Sequence, residues 1–256
     1  MMKRIMIVTL IMVLVLSMSG LVSAQELSGD DVLDKVEESI DAQSSQVKLR
    51  MELYNESGSK RTRELEAYTK DGEYDKALIC FLAPASVKDT AFLSQEKKSD
   101  DEDMYLYMPA LGNVRKIAGS QKNGSFVGTD FSYNDLSILG GGKYKEDYQA
   151  TILDEDDKEY LLRLVPTDED IEYKFVKMWV QKSNWFPTKL EFYDKDKELY
   201  KELISEDIKE RSGYWTAEKM TMKDLDEGSK TVIYLDEITY DLELNDRIFT
   251  VRYLRR

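Results

Sequence analysis

From Val47 onward the apolar residues fall at every second position: Val47, Leu49, Met51 and Leu53 alternate with Lys48, Arg50, Glu52 and Tyr54. That period belongs to a strand with one face buried and the other in water. The same grammar returns after a turn at 55–59, with Leu65 and Ala67, the run 74–82 and residues 90–94, broken by Asp71-Gly72 and Pro84. It resumes at 151–153, 160–165, 173–181, 187–193, 197–208, 214–222 and 230–240, with turn residues at 154–157, Ser183-Asn184, Ser212-Gly213 and Asp226-Glu227-Gly228. About ten strands joined by short turns, with no helix between them, predict a mainly β chain built on an antiparallel up-and-down sheet that curls.

Two further signals precede this series. Ser28 and Asp30 are candidate N-caps, and Val32, Leu33, Val36 and Ile40 recur at helical spacing among acids, which predicts one amphipathic opening helix whose apolar stripe needs a surface to cover. Residues 1–24 read as an export signal, with Lys3 and Arg4, an apolar run over 5–16, and Val22-Ser23-Ala24 as a small-residue cleavage site before Gln25. An uncleaved anchor over 5–22 is the alternative. The expected division is a signal peptide at 1–24 and a single domain over 25–256.

Composition removes many kinds of chemistry. The chain has no His and one Cys, Cys80. Histidine-dependent triads and dyads, imidazole metal ligands and an internal disulfide are therefore excluded. With 36 basic against 50 acidic residues the charge is −14, unsuited to nucleic acid, whose binding rests on a basic surface. The acid runs at 100–103 and 154–157 lack the spacing of a calcium loop, and Gly140-Gly141-Gly142-Lys143 lacks the rest of a phosphate loop. No metal, cofactor or catalytic residue is expected, and an envelope enzyme working through carboxylates alone is the weakest reading. Met104, Met108, Met178, Met220 and Met222 suit either an adaptable apolar cavity or ordinary core.

Residues 119–143 break the hairpin rhythm. Glycines at 119, 124, 128, 140, 141 and 142 alternate with Phe126, Phe131, Tyr133, Leu136, Ile138 and Leu139. Apolar side chains on a loop need a destination. Residues 131–139 are expected to form a short helix begun by Thr129 or Asp130 and ended by the triple glycine, laid over the mouth of the barrel as a plug or lid.

The run Met104-Tyr105-Leu106-Tyr107-Met108-Pro109-Ala110-Leu111-Gly112-Asn113-Val114-Arg115-Lys116-Ile117 is followed by Gly124-Ser125-Phe126-Val127-Gly128-Thr129-Asp130-Phe131-Ser132-Tyr133-Asn134-Asp135-Leu136. Together with Arg247-Ile248-Phe249-Thr250-Val251 near the end, it resembles the outer-membrane lipoprotein-sorting proteins of the LolA and LolB superfamily of lipoprotein carriers. The resemblance implies a half-open, strongly curved antiparallel β-barrel of about eleven strands, with an N-terminal helix and a short helical lid across its concave face. It also implies acyl chains of lipoproteins, or lipids, held between sheet and lid. On that basis Phe126, Phe131, Leu136 and Leu139 are the lid candidates, and Leu49, Met51, Leu53, Tyr105, Tyr107 and Val114 the sheet candidates, subject to which strand parity faces inward.

In the best-known carriers a basic residue on an early strand hydrogen-bonds the lid. Arg50 and Lys48 stand on the matching strand here, with a solvated outer-face charge as the alternative for both. Arg115 is the candidate for a headgroup or lid contact, and Lys116 for pairing with the excess carboxylates. The implied function is that of an exported, non-enzymatic, monomeric carrier in the periplasm or another extracytoplasmic space, in transient contact with a membrane and partnered by an inner-membrane transporter. The alternative is a sensor or interaction module of the same fold.

Overall fold

The computed structural model describes residues 26–40, 42–97, 102–136 and 144–255. The export signal, Leu139 and the triple glycine lie outside the described residues. Helix α1 (Gly29–Ile40) opens this part of the chain. Ser28 caps it: the Asp31 amide donates to Ser28 Oγ at 3.1 Å, while the Ser28 amide donates back to the Asp31 carboxylate at 2.8 Å. Asp30, the other cap candidate, instead accepts from the Ala150 amide at 3.2 Å. Val32, Leu33 and Val36 form the buried stripe. The approach to the sheet is close, because a Cβ on Gly29 would lie 2.6 Å from the Ala150 carbonyl carbon.

Thirteen strands follow among the described residues: β1 (Ser44–Tyr54), β2 (Lys60–Lys70), β3 (Lys76–Ala83), β4 (Ala91–Glu96), β5 (Glu102–Met108), β6 (Asn113–Ile117), β7 (Tyr148–Glu155), β8 (Glu159–Pro166), β9 (Phe175–Gln181), β10 (Pro187–Tyr193), β11 (Leu199–Arg211), β12 (Tyr214–Asp224) and β13 (Ser229–Tyr240). They make one curved, open antiparallel sheet in the order β6-β5-β4-β3-β2-β1-β13-β12-β11-β10-β9-β8-β7. A short helix α2 (Tyr144–Asp147) leads into β7.

The count exceeds both the ten or so strands that alternation predicts and the eleven or so that the resemblance implies; β5 and β6 are the strands that alternation does not show. In Met104-Tyr105-Leu106-Tyr107-Met108 there is no polar alternation to see, since both faces of β5 are covered. Met104 and Leu106 belong to the main core, while Tyr105 and Tyr107 pack on the other face beneath Phe249 and Leu254 of the C-terminal segment. Gln95 Nε2 fastens that segment by donating to the Phe249 carbonyl at 2.9 Å.

Two topological facts position the site. The first and last strands pair in the middle of the sheet, with Ser45 opposite Tyr240 and Tyr54 opposite Lys230. The two edges, β6 and β7, are consecutive in sequence, so residues 118–147 must run from one edge to the other. This crossing segment is where the sheet stops short of closing.

Candidate functional site

The apolar side chains of the described part of the crossing segment turn inward, while residues 118–121, 124, 125 and 128 stay exposed. Phe126 and Phe131 are enclosed, and Tyr133 nearly so. Phe126 lies edge-on to Phe92 with 5.5 Å between ring centroids, edge-on to Tyr133 at 5.6 Å, and tilted against Phe81 at 5.8 Å. Residues 125–132 fold back on themselves: the Phe126 amide donates to the Phe131 carbonyl at 2.7 Å, and Val127 and Gly128 both adopt positive φ. Positive φ is costly for β-branched Val127 and needs support from its surroundings.

That support comes from β2. Arg63, only 7% exposed, donates from Nη1 to the Val127 carbonyl at 2.7 Å, and its guanidinium lies 5.7 Å from the Phe81 ring centroid. Burial pulls its pKa below the ordinary arginine value. Further along, the Asp130 carboxylate accepts from the hydroxyls of Ser229 and Thr231 on β13. The expected helix over 131–139 does not begin at Thr129 or Asp130. Phe131 is not helical and Ser132 bridges Ser125; the helical residues start at Asp135, with Ser132 Oγ accepting from the Asp135 amide at 3.1 Å.

Beneath this roof lies a cavity of about 1020 Å³. Leu49, Met51, Leu65, Ile79, Phe92 and Met104 line it from one half of the sheet, and Leu190, Leu203, Met220 and Ile233 from the other. Phe126 and Leu136 reach it from the crossing segment. Of the remaining methionines, Met178 and Met222 are wholly enclosed core and Met108 packs against the core. Towards solvent the lining turns polar, with Asp71, Glu73, Lys97, Glu102, Glu146 and Asp147. Burial, and then the charges of Glu102, Glu146 and Glu96, push the Asp147 carboxyl up to about 6. Burial likewise raises Glu102, which accepts from the Ser94 hydroxyl. Among the described residues no cluster of carboxylates or thiols has the geometry of a metal site.

The sequence candidates divide by face. Leu49 and Met51 line the cavity; Leu53 and Phe131 belong to the same core without lining it. Tyr105 and Tyr107 pack on the opposite face, because residues of odd number on β5 alternate with the inward Met104 and Leu106, and Val114 on β6 joins them as the register partner of Tyr107. Arg50 also points away from the cavity, bonding Glu52 at 2.9 Å and lying 4.3 Å from the Tyr234 ring centroid, while Lys48 pairs with Glu237 at 2.6 Å. On the early strands β1 and β2, the basic residue that bonds the crossing segment is Arg63 rather than Arg50. One signal points to it: it shares the parity of Leu65 and Ala67. Arg115 is exposed on the same side of β6 as the inward Ile117, near enough to lower the raised pKa of the Tyr133 phenol. Lys116 pairs with Asp103 at 2.6 Å.

An "Uncharacterized protein"-like family model matches residues 73–256. A DUF1329 family protein from Desulfovibrio piger is similar at 29% identity and TM-score 0.82, covering 88% of this chain and 97% of its own. A domain of the outer membrane lipoprotein-sorting type from Vibrio parahaemolyticus is 28% identical with TM-score 0.82, over 89% of this chain and 98% of that one. A LolA superfamily protein from Nitrosomonas europaea shares the fold at 24% identity and TM-score 0.72, over 89% and 99%. No curated protein matches the chain significantly.

Proposed function

Because the chain belongs to the family whose model spans residues 73–256 and is similar to an outer membrane lipoprotein-sorting domain and, in fold, to a LolA superfamily protein, we propose that it is an exported carrier. It holds the acyl part of a lipoprotein, or a lipid, in the cavity and moves it across the cell envelope without making or breaking a covalent bond. The observation that carries this reading is the cavity of about 1020 Å³ walled by aliphatic and aromatic side chains. Its size stands at the upper end of ordinary ligand sites, about 300–1,000 Å³, and its lining offers an acyl chain what water does not.

The energetics suit carriage. Burying a methylene is worth about 0.8 kcal/mol, so a chain of about fifteen carbons brings on the order of 12 kcal/mol before the cost of ordering it. That is enough to keep an acyl chain out of water during transit. Release then needs an acceptor, a membrane or a second carrier, that offers the chain comparable burial. A membrane transporter that extracts the cargo from the inner membrane is the implied donor. The space of action is the periplasm.

Native mass spectrometry of the protein purified from its own envelope, followed by solvent extraction, tests the proposal. The expected result is one acylated peptide or lipid per protein, lost in a Met220→Asp variant that keeps the β spectrum, because a charge in the cavity wall opposes burial of an apolar chain. A clean apo mass that stays clean after incubation with phospholipid and with acylated peptide would overturn it, and would favour a module that binds protein alone.

A further inference from the structure

The crossing segment is held at three separated points, each with a buried polar group. Arg63 grips the Val127 carbonyl. Asp130 accepts from Ser229 and Thr231, and its own amide donates to Thr231 Oγ1 at 3.1 Å. Asp135, fully enclosed, accepts from the Tyr173 phenol and from the Ser132 amide at 2.6 Å, and lies 3.6 Å from Lys201 Nζ. Asn123 adds a clasp across the gap between the sheet edges: it donates to the Asp170 carbonyl at 2.8 Å and accepts from Asn134 Nδ2 at 2.7 Å. Between these points Phe126 and Phe131 sit inside the core.

Lifting such a segment would leave Asp135 and Asp130 without their partners, draw Arg63 from its carbonyl and expose two aromatic rings in one movement. Arg63, Tyr173 and Lys201 would then stay in the body of the protein without the groups they bond, which is costly for buried polar groups. The opposite side of the cavity is different. There the lining reaches solvent at Asp71 and Glu73 in the β2–β3 turn, where half-buried Tyr74, Trp215 and Tyr240 also line it. Rings with an apolar body and a polar edge suit a rim that is crossed by an acyl chain and bathed in water.

We propose that residues 119–136 are a fixed wall of the cavity and that cargo passes instead over the rim at the β2–β3 turn, between Tyr74 and the pair Trp215 and Tyr240. The proposal rests on the carrier reading and specifies its route. It makes the crossing segment part of the body of the protein, so that loading requires no displacement of it.

The test tethers the wall and, separately, obstructs the rim. In a Cys80→Ser background, Asp130→Cys with Ser229→Cys is bridged by a short bismaleimide, and the same protein capped with N-ethylmaleimide serves as the untethered form. Uptake of a pyrene-labelled palmitoyl monoglyceride is followed by stopped flow, with folding checked by circular dichroism and tethering by mass. Glu73→Cys and Ser57→Cys, each carrying a polyethylene-glycol maleimide, place the same bulk at the rim and at the remote β1–β2 turn. Tethered and untethered proteins are expected to load within twofold of each other, and bulk at Glu73 to slow loading at least tenfold relative to bulk at Ser57. Tenfold slower loading on tethering a folded protein, or equal rates for the two bulky conjugates, would overturn the route while leaving the carrier reading intact. Absence of uptake by the parent protein would overturn both.

Discussion

Replacing Arg63 by Met removes the charge and the donors while keeping most of the aliphatic volume. The Val127 carbonyl then loses its partner in a buried place. A hydrogen bond from a charged donor is worth about 1.5–3 kcal/mol. The guanidinium over the Phe81 ring adds about 0.5–1 kcal/mol at its separation of 5.7 Å. The expected loss is therefore about 2–4 kcal/mol. With a urea dependence of about 2–3 kcal/mol per molar, the unfolding midpoint should fall by about 0.7–2 M. Arg61→Met, on the same strand but exposed, should stay within about 0.5 kcal/mol of the parent. Urea titration followed by tryptophan fluorescence measures both. Hydrogen exchange at the Thr129 amide, which donates to the Phe126 carbonyl at 3.1 Å, should quicken in the first variant alone. Equal midpoints for the two variants would refute the reasoning, since they would mean that the inward guanidinium contributes no more than a solvated one.

Two further perturbations follow from the geometry. Gly29→Ala places a methyl 2.6 Å from the Ala150 backbone, so α1 must shift; thermal unfolding should show a loss of about 1–3 kcal/mol, and an unchanged midpoint would mean that the helix is not fixed against β7. Asp147 and Glu102 have carboxyls raised by burial, Asp147 to about 6. The native state therefore binds more protons than the unfolded chain between about pH 4 and 6, and stability should rise as pH falls from 7 to 5. Asp103 acts in the opposite sense, because hydrogen bonds from Lys116 and Lys97 hold its carboxyl below the usual range, so its contribution is lost on further acidification below the ordinary Asp value. Asp147→Asn should flatten the rise and stabilise the protein at pH 7.5 by about 1–3 kcal/mol. A urea series at several pH values in which parent and variant keep the same slope would refute the assignment.

How much was legible beforehand follows from how many faces of each element are covered. β1 has one wet face, so Val47, Leu49, Met51 and Leu53 announced themselves by alternation. The cap of α1 was legible because Ser28 bonds within its own turn. β5 is not legible as a strand, and the face its tyrosines take is not legible either, because the C-terminal segment covers the side that would otherwise be polar. Arg63 was overlooked for a related reason: in Lys60-Arg61-Thr62-Arg63-Glu64 every residue is polar, so only its register with Leu65 and Ala67 marks it as inward. The anchors Asp130 and Asp135 were invisible for a different cause. Their partners Thr231, Tyr173 and Lys201 are remote in sequence and are brought near only by the curl of the sheet.

The pairing of β1 with β13 has a kinetic consequence. The first strand made has no partner on one side until the last is complete, and the contacts that join the halves of the sheet span almost the whole chain. Such contacts close the longest loops and form slowly. A chain crossing a membrane amino end first would remain unable to finish its sheet until nearly all of it had emerged. The order of strands thus delays completion of the sheet, and truncation after β12 would remove the middle of the sheet while appearing to trim only its end.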